Sequence, residues 1–379
     1  YLQCSFFPGL DTVKVTSFKI YRYGLPLKSS VLIRGRSQMR LREGIIFSLT
    51  LDNQWQGFGE IAPLKGFEGI AVEEYVNNLR QFAQGLTPRE LPEELNELFQ
   101  EIDSYPFIPE ARFGVETAFY NAIARKLKKP LSHLWSESAS SVVMVNGLLQ
   151  EEGPLEPAVN DLLRRGFQSI KVKAGGVVKK DVERVQAVLE LVNNRARIHL
   201  DVNQRWNYTD ALYFARAFNP RQIEYLEEPF EDVARASEFF RKTGIAVALD
   251  ESLLGEKAAK IREGVKAWVL KPTLLGGIRK ALAMADEAKK NGIEVVVSSS
   301  FESGIGLFSL IHLAAALGGN CRAGIDTLKY FAKDLLKEPL VIQEGKIAVP
   351  AKPLSEGGIC FENLSQIYAD TVSGKNKRV

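Results

Sequence analysis

Lys173, Asp201, Glu227, Asp250 and Lys271 are separated in turn by 28, 26, 23 and 21 residues, and each ends or nearly ends a short apolar run of β-like composition. The order places three carboxylates between two lysines. Three oxygen anions on successive strands can hold a hard divalent cation, and with no histidine or cysteine pattern among them the set suits Mg2+, or Mn2+, and not zinc. A cation so held, with an ammonium group on either side, is a device for taking a proton from carbon next to a carboxylate. In Ser169-Ile170-Lys171-Val172-Lys173 the two-residue repeat of a strand sends Lys171 and Lys173 to one face. Burying either ammonium unpaired would cost several kcal/mol, so the acidic strand ends must lie nearby. Asn203 shares the face of Asp201 and adds a neutral amide.

Each of these residues also has a purely structural reading. A lone Lys-x-Lys is usually an exposed edge. Asp201 can begin a loop as a helix cap, Glu227-Glu228-Pro229 can be a solvated turn, Asp250-Glu251-Ser252 a second cap and Lys271-Pro272 a strand end. The conjunction favours chemistry, because chance would scatter the residues between faces and between strand ends. His133, His199 and His312 carry no local metal or triad pattern and read as core or surface, so the base is expected to be a lysine.

Positioning such residues requires strands in parallel. From residue 141 short apolar runs alternate with helical stretches at a spacing of about 25 residues, the rhythm of βα units. The predicted strands are 142–146, 169–173, 198–202, 223–227, 246–250, 267–271, 294–298 and 322–326. Eight strands with seven intervening helices form a closed (β/α) barrel, in which functional groups sit at the C-terminal strand ends. An open doubly wound sheet competes, but no Gly-rich dinucleotide turn follows the first strand. Residues 1–140 read as a separate α+β domain. It has strands at 13–21 and 44–51 joined by a polar, Arg-rich segment, Leu27 to Arg42, and helices at 71–82, 92–102 (with Pro92 in its first turn) and 111–127.

Composition bounds the rest. A chain of 379 residues with 45% hydrophobic content can bury a large core and suits two domains. A net charge of +3 gives no strong field for nucleic acid or an anionic membrane, and the basic tail of Lys375, Lys377 and Arg378 reads as a solvated terminus. Cys4, Cys321 and Cys360 form neither a disulfide framework nor a thiolate zinc site, which fits a reducing cytoplasm. No stretch reaches the roughly 18 to 20 apolar residues that span a bilayer, and no leader pattern opens the chain. The chain is therefore expected to be cytoplasmic. No feature selects between monomer and homo-oligomer.

Several motifs carry a family resemblance over nearly the whole chain. They are Gly57-Phe58-Gly59-Glu60-Ile61-Ala62-Pro63-Leu64, Lys171-Val172-Lys173, Asp201-Val202-Asn203, Leu226-Glu227-Glu228-Pro229, Ala248-Leu249-Asp250-Glu251-Ser252, Leu270-Lys271-Pro272, the run Ser298 to Ser303, and Gly324-Ile325-Asp326-Thr327-Leu328. With these the chain resembles the enolase superfamily in its muconate-lactonising branch, and within it the o-succinylbenzoate synthase family of menaquinone biosynthesis. The resemblance implies a (β/α)7β modified TIM barrel at 141–330 and an N-terminal α+β capping domain completed by a C-terminal segment, 331–379, that packs back on it. It implies magnesium-assisted syn dehydration of a small carboxylate, 2-succinyl-6-hydroxy-2,4-cyclohexadiene-1-carboxylate. Asp201, Glu227 and Asp250 would hold Mg2+, Lys173 would be the base and then the acid, Lys171 would tune it, and Lys271 would face the other side as an electrostatic partner. Ser298 and Gly324 would line the succinyl end of the pocket, with Asn203 beside the substrate and with Glu302 and Glu251 behind the ligands. Gly59 and Glu60, with a flexible Leu27 to Arg36 segment, would form loops that close over the site. Ser298 can equally cap the following helix, and the loops can equally be plain hairpin connections.

Three rivals remain. An N-acylamino-acid racemase or dipeptide epimerase of the same superfamily would use the same metal site with Lys173 and Lys271 as opposed bases. Epimerases of this branch carry an Asp-x-Asp pair at the eighth strand, whereas here Asp326 is followed by Thr327-Leu328. A Schiff-base aldolase would leave the three carboxylates unexplained. A noncatalytic ligand-binding barrel would leave the interior charges as unexplained cost.

Overall fold

The structure, a computed structural model, describes residues 13–33, 37–64, 70–86, 95–150, 153–254, 263–318 and 322–371. Among these no helix is long and apolar enough to cross a membrane.

The N-terminal part is an antiparallel sheet backed by helices. β1 (Val15–Ile33) and β2 (Ser37–Leu51) form a long hairpin, and β3 (Trp55–Ile61) pairs with β2 from Ile45↔Ile61 to Leu51↔Trp55. Three helices follow: α1 (Val72–Leu86), α2 (Leu95–Ser104) and α3 (Pro109–Leu127). Residues 110–124 of α3 are almost all buried, because the helix is sandwiched between sheet and barrel. Glycine makes that fit possible, since a Cβ on Gly57 or Gly59 would run into the carbonyl of Ala118 or Gly114 on α3.

The barrel strands begin with β4 (Val142–Val145) and β5 (Gly147–Leu149), one strand bent at Asn146. There follow α4 (Leu155–Arg164), β6 (Ser169–Lys173), α5 (Val178–Val192), β7 (Arg197–Asp201), α6 (Tyr208–Arg216), β8 (Leu226–Glu227), α7 (Ala236–Thr243) and β9 (Val247–Leu249). Then come β10 (Val265–Leu270), the short α8 (Pro272–Leu275), α9 (Ile278–Lys290), β11 (Glu294–Ser298), α10 (Gly304–Leu317) and β12 (Arg322–Gly324). Parallel pairing runs from β5 through β6 to β12, and β12 pairs with β4, so the ring closes through Asn146. β13 (Ile342–Gln343) and β14 (Lys346–Ala348) add an antiparallel flap outside β4. β15 (Leu364–Thr371) crosses back to the first sheet and pairs with β1, giving the order β15-β1-β2-β3.

Two carboxylates of the N-terminal part cap barrel helices. Glu116 of α3 accepts from the backbone N–H groups of Ile278 (2.6 Å) and Arg279 (3.2 Å) at the start of α9. Glu60 of β3 accepts from the N–H groups of Ser303 (2.9 Å) and Gly306 (2.8 Å) at the start of α10. A carboxyl oxygen at a helix N-terminus meets backbone donors that the helix itself leaves unsatisfied. Gly277, at φ 123°, leaves room for the Glu116 carboxylate where a Cβ would strike it.

Some expectations are corrected. Leu27 to Arg42 is not a joining segment: β1 runs to Ile33 and β2 starts at Ser37, with Val31 opposite Met39. Val31, Ile33 and Met39 are buried together with Leu64, so this arm of the hairpin is held by its own apolar face and residues 27–33 are strand rather than loop. Gly59 and Glu60 are likewise strand, pressed against α3, and Glu60 is fully buried instead of closing over the site. The predicted strand at 223–227 shrinks to Leu226–Glu227, and between β9 and β10 the described structure holds only a 3-10 turn, Glu251–Leu254, where a helix is expected. Pro92, residues 34–36, residues 255–262, Cys4, Cys321 and the basic tail lie outside the described residues.

Candidate active site

Strand alternation and parallel register bring the predicted residues to one end of the barrel. Lys173 is opposite Asp201 and Asp201 is opposite Glu227 in adjoining strands, while Asp250 and Lys271 follow directly on β9 and β10. Lys171 and Lys173 share a face, since both ammonium groups reach the same Asp201 oxygen, at 2.8 and 2.6 Å. Lys171 also donates to Glu227 (2.8 Å), Lys173 to the Asn203 side chain (2.8 Å), and Lys271 to Asp250. The three carboxylate side chains are only 1%, 1% and 5% exposed.

Burial and charge oppose each other here. Burial would lower the Lys171 ammonium, but Asp201, Glu227 and Asp250 together hold it well above its usual range. Lys271 is raised in the same way: burial would lower it, and Asp250 and Glu251 outweigh that. Burial would raise Asp201, but Lys171, Lys173 and Lys271 keep it well below the carboxylate range. Glu227 moves the other way, raised by burial and then by the charge of Asp201. Lys171 favours the anionic form of both carboxylates, and Asp201, with a second lysine contact from Lys173, is the firmer anion.

The donor set fits a hard divalent cation in its chemistry, being three buried carboxylates with no imidazole or thiol among them. As the side chains stand, no three such groups among the described residues converge on one point, because the lysines are interleaved between them.

Above this floor lies a pocket with a cavity volume of about 100 Å3. Lys171, Lys173, Asp201, Asn203, Glu251, Lys271, Ser298 and Gly324 all line it, whereas Glu302, Gly59 and Glu60 do not. Gly324 packs beside Ser298, whose hydroxyl oxygen would lie 2.8 Å from an added Cβ and would have to turn away from it. Glu302 is fully buried behind the wall and accepts from Thr273 (2.5 Å), the Ser299 hydroxyl (2.6 Å) and the Ser300 N–H (2.7 Å). Glu251 accepts from the Asn203 amide at 3.0 Å, and burial followed by the charge of Asp250 pushes it up to about 7.

Val31, Leu32 and Ile33, in the segment expected to close over the site, do line the pocket, as strand, and with Leu64 and Phe301 give it an apolar roof. Sequence reasoning missed other participants. Glu228, at φ 44°, accepts from the N–H groups of Asp250 (2.8 Å) and Ser252 (2.7 Å) and so fixes the β9 exit. Its place in the Glu-Glu-Pro motif was the available signal. Arg42 is 1% exposed and donates to the carbonyls of Ala62, Pro63, Ser300 and Phe301, which no local pattern announces.

Known proteins match the chain over most of its length. Residues 155–357 match the family described as Enolase C-terminal domain-like, and residues 15–121 match the MenC N-terminal domain. The chain is 32% identical to the o-succinylbenzoate synthase of Yersinia enterocolitica over 324 residues, covering 84% of this chain and 92% of that one. It is 30% identical to the o-succinylbenzoate synthase of Klebsiella pneumoniae over 324 residues, with coverages of 84% and 93%. A dipeptide epimerase from Enterococcus faecalis, solved with Mg and a dipeptide, superposes with a TM-score of 0.80 at 22% identity, covering 91% of this chain and 99% of that one.

Proposed function

The chain belongs to the enolase superfamily, and from that premise we propose that it is an o-succinylbenzoate synthase, converting 2-succinyl-6-hydroxy-2,4-cyclohexadiene-1-carboxylate to 2-succinylbenzoate and water. The observation that carries the reading is the run of Asp201, Glu227 and Asp250 at successive strand ends, flanked by Lys173 on one side and Lys271 on the other, with Asp201 and both lysines lining the pocket and Glu227 and Asp250 set behind its lining.

Asp201, Glu227 and Asp250 would hold Mg2+, which when bound supplies positive charge for the ring carboxylate as its α-proton leaves. Lys173, as the neutral amine, takes that proton from the ring carbon next to the carboxylate. The electron pair left behind forms the new ring double bond as the hydroxyl group departs from the neighbouring carbon. The same ammonium then gives its proton to the departing oxygen, so water leaves from the face on which the proton was taken. Asn203 holds the Lys173 nitrogen in place through its side-chain oxygen, and Glu251 orients Asn203 in turn. Lys271 adds fixed positive charge on the opposite side. The roof of Val31, Ile33 and Leu64 excludes water from the ring.

The test is an ultraviolet assay on the purified protein with the cyclohexadiene carboxylate, run with Mg2+ and again with EDTA. Metal-dependent loss of the diene absorbance is the expected result. No conversion by folded, Mg2+-supplied protein would overturn the reading and turn attention to epimerisation of acylated amino acids.

A further inference from the structure

The pairing of β5 with β6 stops one residue short of Lys173, at Leu149↔Val172. Arg184, on α5, continues the connection beyond that last pair. One of its guanidinium nitrogens donates to the Lys173 carbonyl at 3.0 Å and another to the carbonyl of Gln150, the residue after β5. On the other side of β6, Lys173 stands opposite Asp201, and the Ala174 N–H donates to the Asp201 carbonyl at 2.9 Å. Arg205 donates there to the Ala174 carbonyl and, at 3.4 Å, to that of Val202. Asp181, also on α5, accepts from the Gly175 N–H at 3.0 Å and from the Trp206 indole at 3.1 Å. The turn that leaves Lys173 is therefore held from α5 and from the segment after β7 at once.

Proton transfer is sensitive to placement, and a displacement of about 1 Å can cost ~10^2-fold in rate. Asp201 and Asn203 hold the Lys173 nitrogen, but they grip the tip of a flexible four-carbon stem whose root is set by the main chain. We propose that Arg184 is a positioning residue for Lys173: by joining the Lys173 and Gln150 carbonyls it fixes where the side chain of the base leaves the barrel wall. The planar fork of a guanidinium spans two acceptors in one fixed geometry, which a single ammonium nitrogen does not reproduce. Lys173 and Gln150 both line the pocket, so the same clamp sets the spacing of two neighbouring strand ends around the substrate. The inference rests on the reading of Lys173 as the base of the synthase reaction.

Kinetics of the full chain with Mg2+ test it. Arg184→Met is expected to lower kcat at least ~10-fold with KM within about 2-fold of the wild type, and Arg184→Lys to fall between. Millimolar guanidinium chloride should restore part of the rate to Arg184→Ala. Arg195, just past the other end of α5, supplies the control, because it too donates to two carbonyls, those of Leu191 at 2.7 Å and Val192 at 3.1 Å. Arg195→Met should lower the melting temperature and leave kcat unchanged. Hydrogen exchange in peptides covering residues 169–176, read without substrate, should quicken in Arg184→Met and not in Arg195→Met. Wild-type kcat in Arg184→Met, an equal loss in Arg195→Met, no guanidinium rescue, or unchanged exchange at 169–176 would each overturn the proposal. If Arg184→Met does not fold, Arg184→Lys is judged by the same kinetic and exchange comparisons. A wild type without turnover would remove the synthase reading, and the exchange comparison would still decide whether Arg184 holds this strand end.

Discussion

Lys173 and Asp201 illustrate how one residue's chemistry depends on its neighbours. The Lys173 ammonium is held by Asp201 and Asn203, so removing the amine leaves two polar groups at a partly solvated floor rather than a hole in the core. Lys173→Ala is expected to lower kcat by about 10^2- to 10^4-fold while the melting temperature and Mg2+ binding stay near wild type. Near-normal turnover would remove Lys173 from the mechanism. Asp250→Asn should instead raise the Mg2+ concentration needed for half-maximal rate, because a neutral amide replaces one of three anionic donors. An unchanged Mg2+ dependence would remove Asp250 from the ligand set. These residues were legible in the sequence because each falls where a βα repeat turns back, one per unit. The Asp326–Lys329 pair was not, since a single i,i+3 acid and base is an ordinary surface feature until the fold buries its carboxylate.

At the scale of elements, the barrel strands were legible because period-two alternation and unit length agree. The hairpin arm over the pocket was not, since the arginines around Gly35 mask a buried row of Val31, Ile33 and Met39 that only the pocket-side packing explains. Capping across domains was equally hidden, because Glu116 lies mid-helix in its own element yet serves the start of α9, 162 residues away. Burial raises the Glu116 carboxyl from its ordinary value of 4.5 to about 8, despite the lowering by the Arg279 and Ile278 N–H groups. The folded state therefore binds a proton that the unfolded state has released. This stabilising contribution is fully present below pH 4.5 and is lost as pH rises toward about 8. The wild type should lose more stability between pH 5 and pH 8 than Glu116→Gln, by on the order of 1 kcal/mol or more. Parallel pH profiles from denaturant melts of the two proteins would show that Glu116 does not titrate in that window.

At the scale of the whole molecule, the two halves share too many buried groups to unfold apart. Arg42 is a buried guanidinium whose described hydrogen bonds all go to main-chain carbonyls, two of them in the barrel segment Ser300–Phe301, two at the exit of β3 and one on the adjacent Glu43. Glu60 and Glu116 terminate two barrel helices from the other domain, and β15 returns from beyond the barrel to complete the first sheet. Interfaces between domains of one chain are often small and permit independent unfolding, but this one contains capped helix ends that would be left unsatisfied on separation. Calorimetry and near-ultraviolet circular dichroism are therefore expected to report one coincident transition, with Trp55 in the first sheet and Trp206 and Trp268 in the barrel losing their signals together. Arg42→Met should lower that transition by roughly 2–4 kcal/mol, because several buried carbonyls lose their donor at once. An early transition confined to the first sheet, with the barrel signal intact, would show that the roof over the pocket is a separable lid. In that case kcat and KM should change at the temperature where the sheet melts, whereas a single cooperative unit keeps both on one smooth temperature curve until the whole chain unfolds.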